Sequence, residues 1–177
     1  MDTDLRYPIG KWSWPAQPLT DVERRGAISE IAATPANIRA AVKGLSEKQL
    51  DTPYRPGGWT VRQVVHHLPD SHLNAYTRFK LAMTEDNPVI KPYDESAWAE
   101  LPDGKGPHVA ESLALLEALH TRWVFLLQRM EPSDFQRSLR HPEHDRKLTL
   151  DMMLAMYAWH GKHHAAHINN LREREGF

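Results

Sequence analysis

The sequence predicts an all-α protein, a four-helix bundle with an extended N-terminal arm. Four long stretches place apolar residues at steps of three and four, the spacing of one helix face. No stretch alternates apolar and polar residues as a half-buried strand does. Proline- and glycine-rich segments separate the long stretches. With 177 residues the chain is long enough for one domain with a core of its own. That domain is expected to span 1–177, with 1–19 as the arm and 20–177 as the bundle.

The arm is extended because Pro8, Pro15 and Pro18 discourage helix, while Tyr7, Trp12 and Trp14 offer surface to pack. Thr20-Asp21-Val22-Glu23 reads as a capping box, and a helical pattern follows to about Gly44. Thr34-Pro35 inside it is either a kink or a fresh start with Thr34 as N-cap. "PYRPGGWT" is a turn, and Thr60 caps a second helix running to about Met83. Its apolar side carries Val61, Val64, Val65, Leu68, Ala75, Phe79 and Ala82. Residues 84–107 form a long connection with room for a short helix at "DESAWAEL", long enough to cross the end of a bundle. The third helix shows a sustained seam of Val109, Leu113, Leu116, His120, Trp123, Leu127 and Met130. "EPSDFQRSLRHPEHDRK" reads as an irregular loop. Thr149 then caps a fourth helix to about Arg174, with a stripe of Leu150, Leu154, Tyr157, Gly161, His164 and Ile168.

Composition narrows the function. Lys and Arg number 22 against 23 Asp and Glu, a net charge of −1, without the basic stripe of a nucleic-acid binder. There is no cysteine, which excludes disulfides and thiolate ligands; any catalytic thiol must come from outside the chain. The polar, proline-interrupted N-terminus lacks the pattern of a signal or transit peptide, and no apolar run reaches membrane-spanning length. A cytoplasmic protein without a nucleic-acid or membrane partner is expected.

Histidine is the unusual residue: there are 11, and "MYAWHGKHHAAHINN" holds His160, His163, His164 and His167. At about 100° per residue, His164 lies within the apolar stripe and His160 one turn earlier at its edge. Spaced i, i+4, the two can reach one point inside the bundle. His167 sits on the same border, and His163 points toward the outer face. Many helices carry such a pair without a metal, so a third ligand from another element is needed. In "VVHHLPDSH" of the second helix His66 points outward, His67 lies at the rim of the stripe and His72 within it. Geometry accepts His67 or His72 and slightly prefers His72. His72 and His120 also fit buried histidines whose rings meet hydrogen-bond acceptors. "HPEH", residues 141–144, looks like a ligand motif but lies in a polar loop.

"GGWTVRQVVHHLPDSHLNAYTRFKLAMTE", "PYDESAWAEL", "SLALLEALHTRW" and "YAWHGKHHAAHI" closely resemble the DinB/YfiT-like family, specifically its YfiT branch. The resemblance covers nearly the whole chain, including the "YPIG" arm. It implies a four-helix bundle in up-down-down-up order. It also implies one divalent metal, Zn²⁺ or Ni²⁺, held by His67, His160 and His164, and a homodimeric metal-dependent hydrolase of small molecules. Other branches are metal-dependent transferases or isomerases that use small thiols such as bacillithiol or glutathione, which keeps a thiol S-transferase open. A bundle stabilised by metal without catalysis is the third reading. Many members carry Gln where this chain has His167, so a fourth-ligand or supporting role for His167 stays open.

Three neutral imidazoles leave an ion its full charge and an open coordination position, the pattern of catalytic rather than structural zinc sites. Water or a small thiol activated by the ion is the expected nucleophile, and no side chain is assigned as catalytic. Each ligand's second nitrogen should meet an acceptor, for which Asp70, Ser71 and Asn74 are the candidates near His67. No Glu stands beside the ligands as in H-E-x-x-H, so a general base is not identified.

Overall fold

A computed structural model of the protein describes residues 4–142 and 147–177. Helices α1 (Asp21–Val42), α3 (Val61–Thr84), α5 (Val109–Leu127) and α6 (Leu150–Glu175) make the bundle. The short α2 (Glu47–Leu50) and α4 (Glu95–Ala99) lie in the connections. Three of the four bundle helices, α1, α3 and α6, begin where the sequence supplies side-chain caps. Thr20 with Glu23 and Thr60 with Gln63 form reciprocal capping boxes, and the Thr149 hydroxyl accepts from the Met152 amide. Gly176, with φ +70°, closes α6 in the left-handed conformation.

Contacts between helices fix the topology. Along α1 and α6, Arg24 meets Asp151, Thr34 faces Gly161 and Arg172 reaches the Ala41 carbonyl, so the two helices run parallel. Along α3 and α5, His66 meets Ser112, His72 meets His120 and Phe79 meets Trp123, again parallel. Arg39–Glu117 and His120–Ile31 set α5 antiparallel to α1. The order is therefore up, down, down, up, and the crossover after α3 spans the length of the bundle. Gly161 lets α1 and α6 approach closely, because a Cβ there would overlap the Thr34 side chain.

The core is split in two. One apolar cluster, with Phe79, Trp123, Leu127 and Leu154, fills the end near the start of α6. Another, with Ile38, Val64, Leu68, Leu116 and Ile168, fills the opposite end. Between them lies a polar layer containing Thr34, His72, His120 and His160. Asp151, buried at the start of α6, accepts from Arg24 Nε at 2.7 Å and Nη2 at 2.9 Å. It also accepts from Gln136 Nε2 at 2.8 Å and the Leu19 amide at 3.2 Å. This compensated charge joins the arm, α1 and the segment before α6, consistent with the rule that buried charges are paired.

Three expectations are corrected and the choice left open at Pro35 is decided. The segment before α6 is not only irregular. Strands β1 (Ser138–Arg140) and β2 (Lys147–Thr149) pair antiparallel, Leu139 opposite Leu148, after a short 3-10 turn at Asp134–Gln136. Each strand has a single inward residue, too short a pattern for alternation to show. Pro35 does not start a helix, since α1 runs through it and the Thr34 hydroxyl donates to the Glu30 carbonyl at 3.0 Å. His66 does not point to solvent: it is buried, with Nε2–H donating to the Gly106 carbonyl at 2.9 Å and Nδ1 facing Ser112 Oγ at 2.7 Å. The crossover covers a face that the isolated helix would leave wet. His163 is also buried, stacked on Trp159 at 4.3 Å, with Trp12 of the arm 5.7 Å from Trp159 on its other contacts. The arm thus packs on its own chain. Of "HPEH", Glu143 and His144 lie outside the described residues. Among the described residues, no helix is long and apolar enough to cross a membrane.

Candidate metal centre

The antiparallel pair α3 and α6 brings His67, His160 and His164 to one point. His160 Nε2 lies 3.4 Å from His67 Nε2 and 3.2 Å from His164 Nε2. Potential ligand atoms of all three lie within 4.8 Å of one another. Nitrogens arranged tetrahedrally at about 2.0–2.1 Å from a zinc ion stand about 3.3–3.4 Å apart. The two separations from His160 Nε2 are close to that spacing, and the three rings could hold a small divalent ion. Among the described residues this is the one group of three or more histidine or carboxylate side chains so placed. With no fourth protein ligand in the group, a coordination position is left for a non-protein ligand.

Burial prepares these rings to stay neutral, as metal ligation requires. It pushes His67 down to about 4. It holds His160 and His164 well below the ordinary 6.5, with neighbouring imidazoles adding to the effect. Trp59 covers one side of His67 at 4.7 Å between ring centres. The site is not sealed, since His67 and His164 each keep 7 % exposure and His160 is half-buried.

His72, which the helical wheel favoured as the third ligand, stands behind the site. Its Nε2 is 3.0 Å from His160 Nδ1, its Nδ1 is 2.7 Å from His120 Nε2, and His120 Nδ1 donates to the Ile31 carbonyl at 2.6 Å. Tyr157 packs its edge on His72 at 5.2 Å. The sequence signal for this layer was present: both His72 and His120 fall on apolar stripes of their helices. The partner of each ring depends on interhelical depth, which a wheel does not contain.

Of the four supporting candidates, Asn74, Ser71 and His167 have partners away from the three rings. The Asn74 amide donates to the Asp70 carbonyl at 2.9 Å, and half-burial, with Asp103 nearby, raises the Asp70 carboxyl above its usual range. Ser71 is hydrogen-bonded to Tyr93 and Tyr157, whose phenols burial pushes up, that of Tyr93 to about 12. His167 Nε2–H donates to the Arg6 carbonyl at 3.3 Å, and its ring stacks on Tyr54 at 3.9 Å, facing a cleft with Leu5 and Pro8. It clasps the arm.

Comparison with known proteins agrees with this architecture. Residues 30–168 match the family model described as the DinB superfamily. The chain is 54 % identical over 171 residues to a "putative metal-dependent hydrolase" of Bacillus mycoides (strain KBAB4), covering 97 % of each chain. The same identity and coverage hold for a protein of that description from Bacillus cereus (strain ATCC 10987 / NRS 248). Among solved structures, YfiT from Bacillus subtilis, described as a probable metal-dependent hydrolase with an unusual four-helix bundle topology, superposes with a TM-score of 0.95. It is 47 % identical, with 98 % of each chain covered. TT2238, a four-helix bundle protein, has a TM-score of 0.57 at 18 % identity, covering 87 % of this chain and 99 % of its own, and shares the fold.

Proposed function

The chain belongs to the DinB superfamily, and we propose that within it this protein is a metal-dependent hydrolase of a small-molecule substrate, with His67, His160 and His164 as the ligands of one divalent ion. The observation that carries this reading is the convergence of three imidazoles from two antiparallel helices, with His160 Nε2 standing 3.4 Å and 3.2 Å from the Nε2 atoms of His67 and His164, close to the spacing in a tetrahedral ligand set. We take the ion as Zn²⁺, with Ni²⁺ as the second choice, because imidazole donors suit both. A homodimer in the cytoplasm completes the reading, supported by the resemblance of arm and bundle to the family.

A divalent ion bound by three neutral imidazoles supplies Lewis-acid chemistry, drawing the pKa of an adjacent water or thiol toward neutrality. The chain's own contribution is to hold the three rings neutral by burial and to leave one side of the site within reach of solvent. The apolar clusters above and below limit competing polar groups. No carboxylate joins the three ligands among the described residues, so a substrate or bound anion meets an undiminished positive charge.

The test is a paired activity screen on zinc-loaded protein. p-Nitrophenyl esters and amides are set against electrophiles supplied with bacillithiol or glutathione. Hydrolysis that disappears on chelation and returns with zinc is the expected result. Turnover only in the thiol arm overturns the hydrolase assignment in favour of S-transfer, and no turnover in either leaves a metal-stabilised bundle.

A further inference from the structure

The polar layer has a direction. Pro35 lies inside α1 and has no amide hydrogen, so the Ile31 carbonyl four residues earlier lacks its helical partner. That carbonyl accepts from His120 Nδ1 instead. A carbonyl can only accept, so His120 must carry its proton on Nδ1, and the Nε2 of the neutral ring is then a lone pair. The contact of His120 Nε2 with His72 Nδ1 at 2.7 Å needs one hydrogen, which must sit on His72. His72 Nε2 in turn is a lone pair, so the hydrogen of its 3.0 Å contact with His160 belongs to His160 Nδ1. The Nε2 of His160 is left with a lone pair, facing the Nε2 atoms of His67 and His164.

Every link comes from a different helix: Ile31 from α1, His120 from α5, His72 from α3 and His160 from α6. His72 and His120 are buried between the two apolar clusters. His164 differs, for its Nδ1 is buried without a hydrogen-bond partner among the described residues. Its ring can reverse tautomer without breaking a bond on that side, whereas His160 cannot.

We infer that His120 and His72 are positioning residues, forming a one-way hydrogen-bond relay from the carbonyl released by Pro35 that fixes His160 as the Nδ1–H tautomer with Nε2 presented to a cation. The relay makes His160 the preorganised member of the ligand set. The inference deepens the metal reading and rests on it only for the purpose the relay serves; the protonation pattern belongs to the chain alone.

Two measurements test it. In the metal-free protein, long-range nitrogen–proton correlation spectra of the imidazoles report which ring nitrogen carries the proton. The expected pattern is Nδ1–H for His120, His72 and His160. An Nε2–H form at any of the three overturns the relay. In the second, zinc affinity is measured by competition with a chelating dye. His120→Leu removes both hydrogen bonds of the His120 ring and is expected to weaken affinity about 10–100-fold, the range for groups that orient a ligand. His120→Gln keeps a donor and an acceptor on one side chain and is expected to restore affinity and the His160 tautomer. A purely packing role for His120 would lower the melting temperature without moving the tautomer, and a folded His120→Leu with wild-type zinc affinity overturns the inference. Should His120→Leu fail to fold, the spectra of the unaltered protein decide. An unaltered protein that takes up neither Zn²⁺ nor Ni²⁺ overturns the metal reading, and the relay then stands or falls on the tautomers.

Discussion

His67→Ala is expected to abolish stoichiometric metal binding and metal-dependent turnover together while leaving the bundle folded. His67 is the single proposed ligand from α3; without it the remaining pair spans one turn of α6 and the proposed set falls from three nitrogens to two. Changes to groups that only orient a ligand cost about 10–100-fold in metal affinity, so deleting a ligand should exceed that range. The helix itself should survive, because the flanking Val64, Val65 and Leu68 remain in the apolar cluster. The contrast appears in thermal melting. For the unaltered protein, free zinc at about a thousand times its dissociation constant adds about 4 kcal/mol of stability, and the melting temperature rises. For His67→Ala, zinc should leave the melting curve where it was. A variant that still gains stability from zinc and keeps a full equivalent after gel filtration would place the ion elsewhere.

Acid is expected to unfold the metal-free protein within the range where free histidines titrate. Burial pushes His67 and His120 from 6.5 down to about 4, and His72, His160 and His164 well below 6.5. Below about pH 6.5 the unfolded chain takes up protons that the folded chain refuses, and stability falls by about 1.4 kcal/mol per pH unit for each such proton. Stability is therefore whole above that pH and is lost as pH falls toward 4. For His67 and His120 alone the loss reaches about 5 kcal/mol by about pH 4.5, against roughly 5–15 kcal/mol for a typical domain. The other three rings act in the same direction. Guanidinium unfolding midpoints measured down to about pH 4.5 should fall steeply below about pH 6.5; a flat midpoint between about pH 7 and 5 would show that the folded protein accepts these protons. Zinc should be released over the same window, since protons compete for the ligand nitrogens.

The helices and their starts were legible in the sequence because they are local. Thr20 with Glu23, Thr60 and Thr149 act within one turn of themselves, and a seam such as Leu113–Leu116–His120–Trp123 repeats its own spacing. The convergence of His160 with His164 is equally local, being an i, i+4 relation on α6. What comes from outside a helix was not legible. His66 and His163 face outward on isolated helices, yet the crossover covers the first and Trp159 together with the arm encloses the second. The β1–β2 pair offers one inward leucine per strand, too little for a periodic signal. The choice between His67 and His72 turned on depth. An angle says that His72 points inward, but only the packed bundle shows that it meets His120 and His160 Nδ1, while His67 at the rim meets His160 Nε2. Pro35 carried the least visible message: it reads as a kink or a fresh start, and its consequence is a carbonyl one turn earlier, freed from its helical partner, that accepts from His120 instead.

The central claim is that three rings from two helices share one cation and leave part of it open. Metal content and X-ray absorption at the metal edge, measured on native protein purified without chelators, test it directly. The claim predicts one divalent ion per chain, with three imidazole nitrogens at about 2.0–2.1 Å and at least one further light-atom ligand from solvent. A protein that carries no ion and binds none on addition, or an ion whose shell contains fewer than three imidazoles, would contradict it.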